Sequence, residues 1–108
     1  MPEWCIELLA PAAAELAELP DDMKARFLRI GDLLTAEGPQ RVGMPYVRPL
    51  GAKLWEMRLA GRGGIARAIY AALPERRLLV LHVFVKKTPA TPRRAIDTAL
   101  QRLKEARR

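Results

Sequence analysis

Cysteine and histidine each occur once in 108 residues, and that scarcity removes several chemistries at the outset. A single cysteine, Cys5, excludes an internal disulfide framework and any cysteine-rich metal site. A single histidine, His82, excludes a two-histidine zinc motif and a two-histidine ribonuclease site. No metal site is therefore expected. Nor does any stretch approach the roughly 18 consecutive apolar residues that a membrane span needs. The N-terminus is apolar, but Glu3 and Glu7 stand where a signal peptide would carry basic residues, so a cytoplasmic location is expected. Internal repeats and low-complexity segments are lacking as well. Cys5 lies in the apolar run Trp4-Cys5-Ile6, which favours a small buried hydrophobe over a nucleophile.

Acidic residues are scarce in one part of the chain only. Residues 1–40 carry eight acids against Lys24, Arg26 and Arg29, a balance of −5. Residues 41–108 carry sixteen bases against four acids, a balance of +12. Half of the residues are hydrophobic, so the chain can bury a core, and its length fits one domain spanning 1–108. A charge split of this size inside one domain predicts a basic face for a polyanion. Charge alone does not separate RNA from DNA, an acidic protein or a membrane surface.

Trp4 to Leu9 reads as a short strand, with Trp4, Ile6 and Leu8 alternating against Cys5 and Glu7. Pro11 opens an Ala/Glu/Leu helix to about Leu19, and Pro20-Asp21-Asp22 starts a second, with acids at the positive end of its dipole. Met23, Phe27, Ile30, Leu33 and Leu34 follow helical spacing until Gly38-Pro39 ends it. Gln40 to Gly51 reads as loop, because Gly43, Pro45, Pro49 and Gly51 punctuate it. Three strands follow: Lys53 to Leu59, Ile65 to Ala72 after the turn Gly61-Arg62-Gly63-Gly64, and Leu78 to Val85 after Pro74-Glu75-Arg76-Arg77. The third is almost wholly apolar, as a central strand covered on both faces would be. Thr91-Pro92 then caps a last helix, with Ile96, Ala99, Leu100 and Leu103 on one side and Arg93, Arg94, Arg102, Lys104 and Arg107 on the other. The order β-α-α-β-β-β-α predicts an α+β fold: a sheet of about four mainly antiparallel strands, an N-terminal helical hairpin and a C-terminal helix, the helices packed on one face.

Three motifs stand in order on those strands. They are Leu54-Trp55-Glu56-Met57-Arg58, Gly63-Gly64-Ile65-Ala66-Arg67-Ala68-Ile69-Tyr70, and His82-Val83-Phe84-Val85-Lys86-Lys87-Thr88-Pro89. In them the sequence resembles the RelE/ParE toxin superfamily, nearest its phage-derived HigB-like branch. The likeness follows nearly the whole chain in element order and is most specific over residues 50–104. It implies a RelE-like fold and the toxin of a type II toxin–antitoxin module. Such a toxin cleaves mRNA in the ribosomal A site, without a metal or other cofactor. The implied partner is a helix-turn-helix antitoxin from the same operon, in a toxin–antitoxin hetero-oligomer. Carried over by motif, Arg67 is the transition-state clamp, Arg58 a second cation, and Lys86 and Lys87 the lysine pair that holds phosphate or moves a proton. Lys53, Arg62, Tyr70, Arg93 and Arg94 are the accompanying RNA-binding candidates. No tyrosine follows Tyr70, a departure from relatives that place a tyrosine or histidine near the C-terminus.

The chemistry is compatible with these residues. Attack by a 2′-hydroxyl needs cations to neutralise a phosphorane, and arginine matches phosphate bidentately. Each residue also has a plainer reading. Arg58 can pair with Glu56 or a helix acid, Arg67 can be a solvated strand residue, and the lysines can guard a strand end. Trp55 and Tyr70 can stack bases or fill the core, and His82 fits a satisfied core histidine better than a general base. Two other functions share the pattern: a ParE-like poison of DNA gyrase, and a basic nucleic-acid-binding protein without toxicity.

Overall fold

The first strand, β1 (Cys5–Leu8), runs into two helices, α1 (Ala10–Ala17) and α2 (Asp21–Glu37). Four strands follow, β2 (Val47–Gly51), β3 (Leu54–Gly61), β4 (Gly64–Leu73) and β5 (Arg77–Lys86), and then α3 (Arg93–Ala106). This is a computed structural model, and it describes residues 3–86 and 90–107. All five strands form one sheet in the order β1-β5-β4-β3-β2. The β1–β5 pair is parallel and the others are antiparallel. No helix among the described residues is long and apolar enough to cross a membrane.

Local chemistry explains most boundaries. Asp21 and Asp22 occupy the first turn of α2, where the helix dipole favours negative charge. Asp22 also accepts the Arg62 N–H at 2.7 Å, which ties the β3–β4 turn to the start of that helix. The helix ends at Gly38, whose N–H bonds to the Leu34 carbonyl at 2.8 Å. Glycine is needed there twice over: φ is 84°, and a Cβ would sit 2.7 Å from the Trp4 indole nitrogen. Ala52 and Lys53, with φ of 52° and 68°, make the two-residue turn that joins β2 to β3.

The structure corrects three expectations. The segment read as loop contains β2, so the sheet has five strands. Pro49 is tolerated because β2 is an edge strand, where only alternate N–H groups are needed for pairing. The helices do not share one face. Met23, Phe27, Ile30 and Leu34 of α2 pack on Met57, Leu59, Ala66 and Tyr70, whereas Ala95, Ala99 and Leu103 of α3 pack on Leu54, Ile69, Ala71 and Leu81 of the opposite face. The Leu78–Val85 strand is interior and covered on both faces as expected, flanked by β1 and β4, although β4 is the middle strand of the five. Cys5 is exposed, because Ile6 is the residue of β1 that points at α2, against Gly31.

Because β1 pairs only with Arg77 to Val80, the outer edge of β5 is uncovered beyond that point. Glu15 of α1 closes part of it by accepting the Val83 N–H at 3.0 Å. The same carboxylate receives the Arg102 guanidinium of α3 at 2.9 and 3.1 Å, and Arg102 also donates to the Leu81 carbonyl. His82 Nδ1 lies 3.1 Å from Glu15, and its ring stacks on Phe84, so His82 is the satisfied histidine expected. One carboxylate thus ties together α1, β5 and α3. Burial works to raise the Glu15 pKa, but hydrogen bonds from Arg102, Val83 and His82 outweigh it and hold the group below its ordinary 4.5. A depressed carboxylate pKa contributes stability that is present above the ordinary value and lost as pH falls through the folded one. Glu15→Gln is therefore expected to cost about 1–2 kcal/mol at pH 7. In urea melts the gap to the wild type should close as the pH drops below about 4. A gap that stays constant down to pH 3 would show that the charge of Glu15 contributes nothing.

Candidate active site

Strand alternation and register bring the chemistry together. Arg58 of β3 lies opposite Arg67 of β4, Glu56 lies opposite Ile69, and Arg48 of β2 lies opposite Glu56. Lys86 of β5 lies opposite Ile65 and shares the face of Arg67. This is the face that α3 covers, but α3 reaches only the end that carries Leu54, Ile69 and Ala71. The uncovered end is a cleft of roughly 500 Å³, lined by Arg48, Glu56, Arg58, Arg67 and Lys86 and walled by Met44, Pro45 and Tyr46.

Glu56 is the anchor of this cluster and is 1% exposed. Its Oε1 takes the Arg48 Nε at 3.0 Å and lies 3.5 Å from an Arg67 terminal nitrogen. Its Oε2 accepts a short hydrogen bond from the Thr91 hydroxyl. Having donated its one proton there, Thr91 accepts from Arg48 at 3.0 Å and from Lys86 at 3.5 Å. Four cations surround one carboxylate, so positive charge is in excess. Arg67 is 7% exposed, and its Nε is buried without a partner among the described residues. Burial pushes the Arg67 pKa down, Glu56 opposes that, and Arg58 and Arg48 add to it. Burial likewise lowers the Lys86 pKa, against the pull of Glu56 and with the help of Arg67, Arg48 and Arg58. Chemically, such a cleft can take a phosphodiester, orient it with guanidinium forks and give up a proton from a lysine.

Over residues 14–104 the chain matches the Phage derived protein Gp49-like family. It belongs to that family. Two solved structures show the fold this Gp49-like protein shares. One is the archaeal RelE–RelB complex from Pyrococcus horikoshii OT3, 24% identical, with a TM-score of 0.58, covering 79% of this chain and 96% of that one. The other is an Escherichia coli RelE toxin carrying two arginine-to-alanine changes, in the free state, 14% identical, with a TM-score of 0.59, covering 94% and 98%. No curated protein sequence matches the chain. The RelE-like α+β fold implied by the three sequence motifs is the fold of the Gp49-like protein.

The candidate residues separate clearly in space. Arg67, Arg58 and Lys86 meet in the cleft of the Gp49-like protein. Arg58 does not pair with Glu56, and among the described residues its guanidinium has no hydrogen-bonding or ionic partner. Lys87 lies outside the described residues. Lys53 and Arg62 sit in the turns at opposite ends of β3, and neither lines the cleft. Arg93 is exposed and pairs with Asp97 at 3.2 Å. Arg94 lines a separate groove between β5 and α3, beside Phe84 and Val85. Tyr70 is the clear correction: it is fully buried in the core under α2, where it cannot stack on RNA. Burial pushes its phenol pKa up. Strand geometry carried a warning, since residues 67 and 70 are an odd number apart and so face opposite sides of the sheet.

Other members of the site were not singled out as functional from sequence. Thr91 was expected to cap α3, but the cap is Pro92 and makes no side-chain bond; the Thr91 hydroxyl serves Glu56 instead. Arg48 was hidden in the segment read as loop, and Glu56 stood only as a possible partner for Arg58. Glu56 is the only acid within residues 41–74, and that is the available signal, since an acid alternating with apolar residues in a buried strand needs nearby cations.

Proposed function

We propose that this Gp49-like protein is the toxin of a type II toxin–antitoxin module and a ribosome-dependent endoribonuclease. The observation that carries this reading is the cleft in which Arg58 and Arg67 face each other across two strands with Lys86 beside them. A phosphodiester seated there has its non-bridging oxygens against two guanidinium groups. As the 2′-hydroxyl gives up its proton to solvent and its oxygen attacks phosphorus, negative charge grows on those oxygens and the fixed cations stabilise it without a metal. The P–O5′ bond breaks, leaving a 2′,3′-cyclic phosphate. Lys86, whose proton is held less firmly than an ordinary lysine's, supplies the proton to the departing 5′-oxygen. Glu56 stays buried and keeps the cations in place. Dependence on the ribosome fits an open cleft that holds, among the described residues, no complete set of proton-transfer groups of its own.

The implied partner is a helix-turn-helix antitoxin that covers the +12 segment of the chain. Its association should be sensitive to salt, with apolar contacts supplying much of the affinity. Induced expression in a bacterial host tests the reading: translation should stop, with mRNA cut only where ribosomes are loaded. Filamentation with a DNA-damage response would indicate gyrase instead, and undisturbed growth would leave a non-toxic binding protein.

A further inference from the structure

The cleft has two different sides, and the cations account for only one of them. Met44 is 67% exposed and Tyr46 is 36% exposed. Both line the wall that adjoins Arg58, Arg67 and Lys86. Leaving large apolar side chains in water is unfavourable, and the other exposed ones, Leu8, Leu28, Leu33 and Val85, lie elsewhere and do not line this cleft. The Tyr46 backbone is firmly held. Its N–H bonds to the Gly43 carbonyl at 3.0 Å, and its carbonyl accepts the Arg58 N–H at 2.8 Å. Next to it Val47 is 2% exposed, rooted in the core. The wall is therefore a fixed ledge, registered on the same residue that presents one of the cleft's guanidinium groups.

Resting on the nuclease reading above, we propose that Tyr46 and Met44 form a stacking platform for an unpaired nucleobase whose own phosphate lies on Arg58 and Arg67. A ligand that fits both sides must carry a flat apolar ring within one nucleotide's reach of a phosphodiester. Single-stranded RNA offers that, whereas a duplex keeps its bases stacked inside. The platform makes these two residues determinants of substrate choice: they admit single strands and favour the bases that stack best.

The test uses the full-length protein, a single-stranded RNA hexamer, and a ribose-phosphate oligomer of equal length without bases, titrated by NMR. One stacked base is expected to make the wild type bind the hexamer about tenfold more tightly than the abasic oligomer. Tyr46→Ala should erase that difference by weakening the hexamer alone, and Tyr46→Phe should preserve it. Equal affinity of the wild type for the two oligomers would overturn the platform and leave a phosphate-only cleft, with the toxin reading intact. A Tyr46→Ala variant that weakens both oligomers equally would reduce the ledge to a support for Arg58. A wild type that binds neither oligomer also overturns the platform, and persistence or loss of growth arrest then decides the toxin reading separately.

Discussion

Arg67→Ala is expected to lower ribosome-dependent mRNA cleavage by roughly 10²–10³-fold and to abolish growth arrest. Arg67 is more deeply buried than the cleft's other two arginines, Arg48 and Arg58. It sits on the central strand, it is 93% buried, and its Nε has no partner among the described residues. A guanidinium desolvated in this way has donors to spare and little water to compete for them, so its interaction with a developing phosphorane is strong. The loss should be confined to chemistry. Glu56 keeps its bonds from Arg48 and Thr91, so no buried charge is left alone, and the thermal midpoint should move by less than about 5 °C. Arg67→Lys restores charge but not the fork, and should recover only part of the rate. Full cleavage by a folded Arg67→Ala variant would remove this arginine from the site.

Glu56→Ala should have the largest effect on stability. Removing one partner of a buried ionic cluster costs about 3–5 kcal/mol, because the remaining charges lose their compensation. In a domain of this size that lowers the melting midpoint by roughly 12–25 °C. Arg48, Arg67 and Lys86 would then face one another without an anion among them, and Thr91 would lose its acceptor. Glu56→Gln keeps an acceptor for Thr91 and most of the volume, so its cost should be clearly smaller. The alanine variant should also be stabilised by added sulfate more than the wild type is, since a free anion can take the place of the carboxylate. A Glu56→Ala protein that melts within about 3 °C of the wild type, with no extra response to sulfate, would show that the cations do not depend on this residue.

The sequence carried much of this molecule openly. Alternation over Leu54 to Leu59 marks one strand and sets Glu56 and Arg58 on one face, and the flanking turns bound Ile65 to Ala72 as the next. Prolines at 11, 20 and 92 marked the starts of three helices, which are α1, α2 and α3. The charge split already points to the segment that supplies the cleft cations, because charge needs no tertiary contact to be counted.

Only the tertiary structure decided which face of the sheet carries the cationic cleft. Both faces of β3, β4 and β5 carry apolar residues, so no one-dimensional pattern distinguishes the side of Arg67 from the side of Tyr70. Docking of α1 and α2 buried Tyr70, while the shorter reach of α3 left Arg67 beside an open cleft. Register then did what spacing along the chain does not: it set Arg48 against Glu56 and brought Thr91, 43 residues away from Arg48, within 3.0 Å of it. The Glu56 cluster draws one or two side chains from each of β2, β3, β4 and β5 and from the segment before α3. Its members have no common sequence interval, because the distances that make it are measured across the sheet, perpendicular to the chain.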